Sequence, residues 1–66
     1  MKIKLNGEVY DAGKASNVTE LLEGLGMPTV ALLVEHNGLA LRREEWDGRV
    51  LAEGDVVEII RIVAGG

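Results

Sequence analysis

Only one stretch of this chain carries a helical stripe, and that limits what the rest can fold into. Val18, Leu21, Leu22 and Leu25 fall at i, i+3, i+4 and i+7, which is one face of an α-helix. Ser16 or Asn17 stands where a cap is needed, and Asn17 with Glu20 fits a loose capping-box pattern. Gly24 and Gly26 supply stops, and Pro28 prevents continuation. Residues 1–5 instead alternate apolar and basic side chains, the period of a half-buried strand. Asn6-Gly7 follows, a strong hairpin signal because both central positions of a type I′ turn need positive φ. Residues 8–11 then form the returning strand. Beyond the helix, residues 30–36 predict a third strand, Asn37-Gly38 a second turn and residues 39–41 a short return. Residues 42–46 are polar apart from Trp46 and suit one tight helical turn. Val50-Leu51 predicts a short strand, Glu53-Gly54-Asp55 a turn, and residues 56–63 the last and longest strand. A single amphipathic helix covers one sheet face and leaves the other to solvent. The expected fold class is α+β, one mixed four- to five-stranded sheet packed on a single helix, in one domain over residues 1–66.

At 66 residues the core is small. Cysteine is absent, which removes disulfides and thiolate metal sites. No basic start leads into an apolar run, and no stretch is long enough to cross a bilayer, so a soluble cytoplasmic protein is expected. The formal net charge is −4, with acids spread along the chain. That balance argues against nucleic acid, whose phosphates need a basic footprint, and suits a basic protein partner. No Ser-His-Asp set, metal-ligand spacing or phosphate-cradling glycine loop is present, so the chain is not expected to be an enzyme.

The sequence ends Ala64-Gly65-Gly66, directly after the apolar final strand. Glycine leaves the carboxylate without a side chain beside it, on a backbone free to take almost any conformation. Residues 64–66 are therefore expected to form a flexible tail reaching about 10 Å at about 3.3 Å per residue. Such a tail threads a channel too narrow for any Cβ. Its carboxylate is ionised at neutral pH and can attack an electrophile such as the α-phosphate of ATP, if a partner enzyme supplies the site. The plainer alternative is a frayed terminus, where glycine and disorder concentrate.

The run Leu51-Ala52-Glu53-Gly54-Asp55-Val56-Val57-Glu58-Ile59-Ile60, continuing to Ala64-Gly65-Gly66, resembles the C-terminal third of the ThiS-type sulfur carriers. Val18-Thr19-Glu20-Leu21-Leu22-Glu23-Gly24-Leu25-Gly26 resembles their helix, and Asn37-Gly38 followed by Arg43 and Trp46 resembles their central pattern. The likeness spans essentially the whole chain. It implies a ubiquitin-like β-grasp fold and a part in making the thiazole of thiamin. It also implies that Gly66 is the modified residue, adenylated by a ThiF-type enzyme related to ubiquitin-activating enzymes and then converted to a thiocarboxylate. Gly65 and Ala64 would be the approach that threads the partner. A ThiG-type thiazole synthase would consume the sulfur, a separate donor would supply it, and ATP with Mg²⁺ would be used by the partner, no cofactor being bound by the carrier. Two positions depart from the pattern. Arg42 stands where proline is usual, and His36 where an apolar residue is usual. Competing outcomes are a carrier feeding molybdopterin, cysteine or methionine synthesis, a ubiquitin-like modifier joined through Gly66 to a lysine, and an unreactive β-grasp interaction module.

Strand parity locates a docking surface. Glu58 must avoid the core, so Val56, Glu58, Ile60 and Ile62 point outward and Val57 and Ile59 inward. Arg61 shares the inner parity and is expected at the sheet margin. Glu35 and Leu33 point outward by the same logic. Leu33, Ile60 and Ile62 then form an exposed apolar patch beside the tail, and a cluster there reads as a partner surface. Arg43 is a further candidate for partner contact. His36 has no nucleophile or orienting acid near it in sequence and is assigned a structural strand-end role. Glu44-Glu45 reads as solvated surface, and Trp46 as a packing residue whose N–H seeks a partner.

Overall fold

Both Asn-Gly pairs turn the chain as predicted. In the computed structural model, which describes residues 1–62, Asn6 and Gly7 have φ of 49° and 85°, and Asn37 and Gly38 have φ of 51° and 84°. The first turn joins β1 (Lys2–Leu5) to β2 (Glu8–Asp11), and the second joins β3 (Leu32–His36) to β4 (Leu39–Leu41). The helix α1 (Val18–Leu25) lies between the hairpins in sequence, and a single 3₁₀ turn (Arg43–Glu45) follows the second. The last strand, β5 (Val56–Arg61), inserts between the hairpins and gives the sheet order β2-β1-β5-β3-β4. It runs parallel to β1 and antiparallel to β3, so the sheet is mixed. This mixed five-stranded sheet with one helix is the β-grasp arrangement. Among the described residues, no helix is long and apolar enough to cross a membrane.

Parallel pairing of β1 with β5 covers only Lys4 opposite Val56 and Leu5 opposite Val57, because the chain then turns away. The Asn6 side chain continues the ladder. Its Oδ1 accepts from the Ile59 N–H at 2.8 Å, and its Nδ2 donates to the Ile59 carbonyl at 3.2 Å. Asn6 thus serves the turn by its backbone and β5 by its side chain.

At the helix start, Asn17 is the cap, and its side chain accepts from the Glu20 N–H. Glu20 does not complete the predicted box. Its carboxylate reaches one residue further back, to the Ser16 N–H at 2.8 Å and the Ser16 hydroxyl at 2.9 Å. Those two donors hold its carboxyl below the usual range. Gly26 closes the helix at φ 67°, its N–H bonded to the Glu23 carbonyl. The helical stripe packs Val18, Leu21 and Leu22 into a core with Ile3, Val34, Leu41, Trp46, Leu51, Val57 and Ile59.

Three predicted boundaries shift. The third strand starts at Leu32, because Ala31 adopts φ 61° and breaks the extended run. Val50 makes only an isolated bridge to Asn17, and no strand forms over Val50-Leu51. The last strand is assigned to Arg61, although the Ile62 N–H still bonds the Ala31 carbonyl at 2.8 Å.

Candidate docking surface

With the helix covering one sheet face, alternation along β3 and β5 decides what the other face presents. Leu33 stands opposite Ile60 across the β3–β5 pair, and Ile62 continues the same parity. Their exposures are 49%, 50% and 49%, against 0% for Val57 and 7% for Ile59. The structure therefore brings Leu33, Ile60 and Ile62 together into one apolar patch. One step along, Glu35 stands opposite Glu58, with Ala40 on the far side of Glu35. A further step brings Val56 beside Lys4, and Lys4 beside Val9 on the edge strand. The outer face thus changes from apolar to acidic to mixed along its strands. Arg61 is exposed, as its margin position predicts.

Ile62 leads directly into residues 63–66. The predicted sites at Ala64, Gly65 and Gly66 lie outside the described residues.

Arg43 sits elsewhere. Its guanidinium lies 5.7 Å from the centroid of the Trp46 ring, a cation–π arrangement, and its Nη2 donates to Thr29 Oγ1 at 3.0 Å. Arg43 and Trp46 line an open cleft of about 310 Å³ together with the helix residues Thr19 and Glu23 and with Thr29 and Asp47. That cleft belongs to the helix side of the molecule. Trp46 packs in the core as predicted, but its indole N–H has no hydrogen-bond partner among the described residues. Arg43 is thus not grouped with Leu33, Ile60 and Ile62.

His36 ends β3 inside a polar network that sequence reasoning did not foresee. The ring is 4% exposed. Arg49 Nε donates to its Nδ1 at 2.8 Å, so Nδ1 carries no proton, and Nε2–H donates to Asp55 Oδ2 at 2.6 Å. Asp55 also accepts from the Ala52 N–H at 2.8 Å and from Asn37 Nδ2 at 3.2 Å. Burial by itself would raise the Asp55 carboxyl, but the bonds from His36, Ala52 and Asn37 outweigh it and hold it below the ordinary value. Asn37 Oδ1 accepts from the Val56 N–H at 2.8 Å, which ties the network to the first residue of β5. His36 is therefore structural, as predicted, and it clamps the beginning of the strand whose other end leads into residues 63–66. Its partners Arg49 and Asp55 lie 13 and 19 residues away, and no local spacing signals them. Among the described residues, no group of three or more His, Cys, Asp or Glu side chains is arranged to hold a metal.

Comparison with known proteins bears on the whole chain. The ThiS family matches residues 3–66. A thiazole synthase from Magnetococcus marinus is 36% identical over 66 residues, and the chain spans about a fifth (20%) of that relative's length. The sulfur carrier protein ThiS of Escherichia coli is 27% identical over 66 residues, covering 100% of both chains. Among solved structures, the thiamine biosynthesis protein ThiS from Geobacter metallireducens superimposes with a TM-score of 0.84 at 36% identity, again covering 100% of both chains.

Proposed function

The chain belongs to the ThiS family, and from that premise we propose that it is a sulfur carrier for thiamin synthesis that works through the carboxylate of Gly66. The observation that carries this function is the family match, which spans residues 3–66 and so includes Gly65 and Gly66. Full-length correspondence with the Escherichia coli sulfur carrier supports it.

A carboxylate is a poor acyl donor, since its leaving group would be oxide. The proposed first step has a Gly66 carboxylate oxygen attack the α-phosphorus of ATP and expel pyrophosphate. The product is a mixed anhydride whose leaving group is AMP, so one hard step becomes two easier ones. Hydrosulfide, as the sulfur source releases it, then attacks the acyl carbon, AMP departs as the leaving group, the S–H proton is lost to water, and a thiocarboxylate remains. Transfer of that sulfur to a thiazole synthase and hydrolysis of the acyl end return the carboxylate. ATP and Mg²⁺ belong to a ThiF-type adenylyltransferase in this scheme, and the carrier binds no cofactor of its own. Gly65 and Ala64 supply a narrow approach, and Leu33, Ile60 and Ile62 supply the docking patch beside it.

The decisive experiment incubates the protein with ATP, Mg²⁺, the cognate adenylyltransferase and a sulfur source, followed by mass spectrometry. The mass gain of sulfur replacing oxygen should map to Gly66, and omission of the sulfur source should trap an AMP adduct. Removal of Gly66 should abolish both products with the melting temperature unchanged. A truncated chain that still acquires sulfur would overturn the mechanism.

A further inference from the structure

Among the described residues, three that are not glycine take positive φ: Asn6, Ala31 and Asn37. The two asparagines sit in Asn-Gly turns and tolerate the left-handed region. Ala31, at φ 61°, has no such reason, because a Cβ there crowds the following carbonyl. Its place in the sheet supplies one. The β3–β5 pairing sets Leu32 opposite Arg61, so in the same register Ala31 falls opposite Ile62. Continued further, that register would set Val30 opposite Val63 and Thr29 opposite Ala64. The Ala31–Ile62 rung is half made. The Ile62 N–H donates to the Ala31 carbonyl at 2.8 Å, and the return bond from the Ala31 N–H to the Ile62 carbonyl is absent among the described residues. At the other end of β3, Asn37 is also left-handed, and its own Oδ1 takes the Val56 N–H. Ala31 has no side chain for such a repair. Before it the chain is held elsewhere: Thr29 Oγ1 accepts from Arg43 Nη2, and that guanidinium lies over Trp46 on the helix side. Val30, a β-branched residue suited to a strand, is left 71% exposed. Pro28, which would come opposite Gly65, has no N–H to give. On the other flank of β5, the β1 backbone pairs no further than Val57, and the Asn6 side chain no further than Ile59.

We propose that Ala31 is a ladder stop: its left-handed backbone withholds β3 from residues 63–66, so that the end bearing Gly66 is available to a partner enzyme. This rests on the proposed loading of Gly66 and names what keeps that residue accessible. Were residues 29–31 extended, they would present a row of N–H and C=O groups to the chain continuing from Ile62. Backbone groups zipped onto that row would have to be released before the end could enter a partner's channel. A partner that takes only the released form binds more weakly in proportion to how little of it is populated. A strained residue and an unmade rung bond at this one point prevent the zipping. Strain is tolerated at such places because the surrounding structure enforces it. The enforcing contact is the Arg43–Thr29 hydrogen bond, which makes both side chains positioning residues that keep the segment before Ala31 off the β5 side.

The test follows amide hydrogen exchange of the full chain, alongside steady-state sulfur loading by the cognate adenylyltransferase with ATP, Mg²⁺ and a sulfur source. In the parent chain the Thr29 and Ala64 N–H groups should exchange at the open-chain rate. Ala31→Val disfavours the left-handed region and should extend β3. Exchange at Ala64 should then slow roughly tenfold, about the worth of one net hydrogen bond. KM for the carrier should rise by the same factor with kcat unchanged, since exchange and capture both need the released end. Ala31→Gly keeps the left-handed turn without a Cβ and should match the parent in both readouts. Thr29→Val removes the acceptor of the Arg43 bond without altering residue 31, and should shift both readouts in the valine direction by roughly two- to threefold. It decides the matter should Ala31→Val not fold. Slow exchange at Ala64 in the parent chain would overturn the proposal. So would a glycine variant as impaired as the valine one, or folded valine variants with the exchange and KM of the parent. A parent chain that shows the expected exchange, and the expected slowing in Ala31→Val, yet acquires no sulfur removes the proposed loading of Gly66 and leaves the stop in place.

Discussion

The two faces of the central sheet are built from the same residue types and meet opposite fates. On β5, Val57 and Ile59 are buried against the helix, while Ile60 and Ile62 stand about half in solvent at 50% and 49% exposure. Removing an inner side chain from water stabilises the fold by roughly 1.5–3 kcal/mol. An outer one adds much less to the isolated protein. The inner face therefore belongs to folding, and the outer face is free to serve whatever approaches it. Alternation in one strand allows a small domain to hold both, provided the register never slips by one residue.

The comparison breaks most visibly if the inner face is damaged. Leu21→Ala or Ile59→Ala should cost about 2–5 kcal/mol by opening core cavities. A domain of this size has total stability near 5 kcal/mol, so denaturant melts should show partial or complete unfolding. The next largest effect is expected at the clamp on the start of β5. Asp55→Ala leaves the His36 ring N–H, the Ala52 N–H and the Asn37 amide without their acceptor. A loss of about 2–3 kcal/mol is expected, measurable as a lower urea midpoint.

Acid should act through the same clamp. The Asp55 carboxyl is held below its ordinary value in the folded chain, so the folded state binds the proton less readily than the unfolded one. Its stabilisation is complete above the unfolded value, near 3.9, and is lost as pH falls through the lower folded value. Melts below about pH 4 should show a decline that Asp55→Asn reduces. The smallest stability effect belongs to the outer face. Leu33→Asp or Ile60→Asp should change stability by no more than about 0.5 kcal/mol while weakening capture by the proposed adenylyltransferase. Unfolding of Ile60→Asp would mean that the two faces do not divide the work as described.

Much of this division was legible in residue order. Alternation around Glu58 separates Val57 and Ile59 from Ile60 and Ile62, because a carboxylate cannot share a face with the core. The stripe Val18, Leu21, Leu22 identifies the helix, and Asn-Gly identifies both turns, because left-handed backbone geometry suits few other pairs. Val50-Leu51 misled because two apolar residues read alike as a strand or as a lone core side chain, and only Leu51 is buried. Arg43 is a separate candidate for partner contact, and residue order gives no sign that its side chain lies over Trp46 on the helix side.

Sequence alone thus determined the helix, the two hairpins with their turns, the last strand and which side chains of β3 and β5 face inward, since these follow from backbone sterics and periodicity between near neighbours. It also placed the terminal glycines after an apolar strand. Tertiary structure alone decided that β5 lies between the hairpins, that Asn6 extends its ladder, and that Arg49, His36 and Asp55 meet at its start. It also decided that Glu35 faces Glu58. Each of these joins residues far apart in the chain, and such contacts depend on the pairing register chosen when the sheet closes around the helix. Local propensity carries no information about that register.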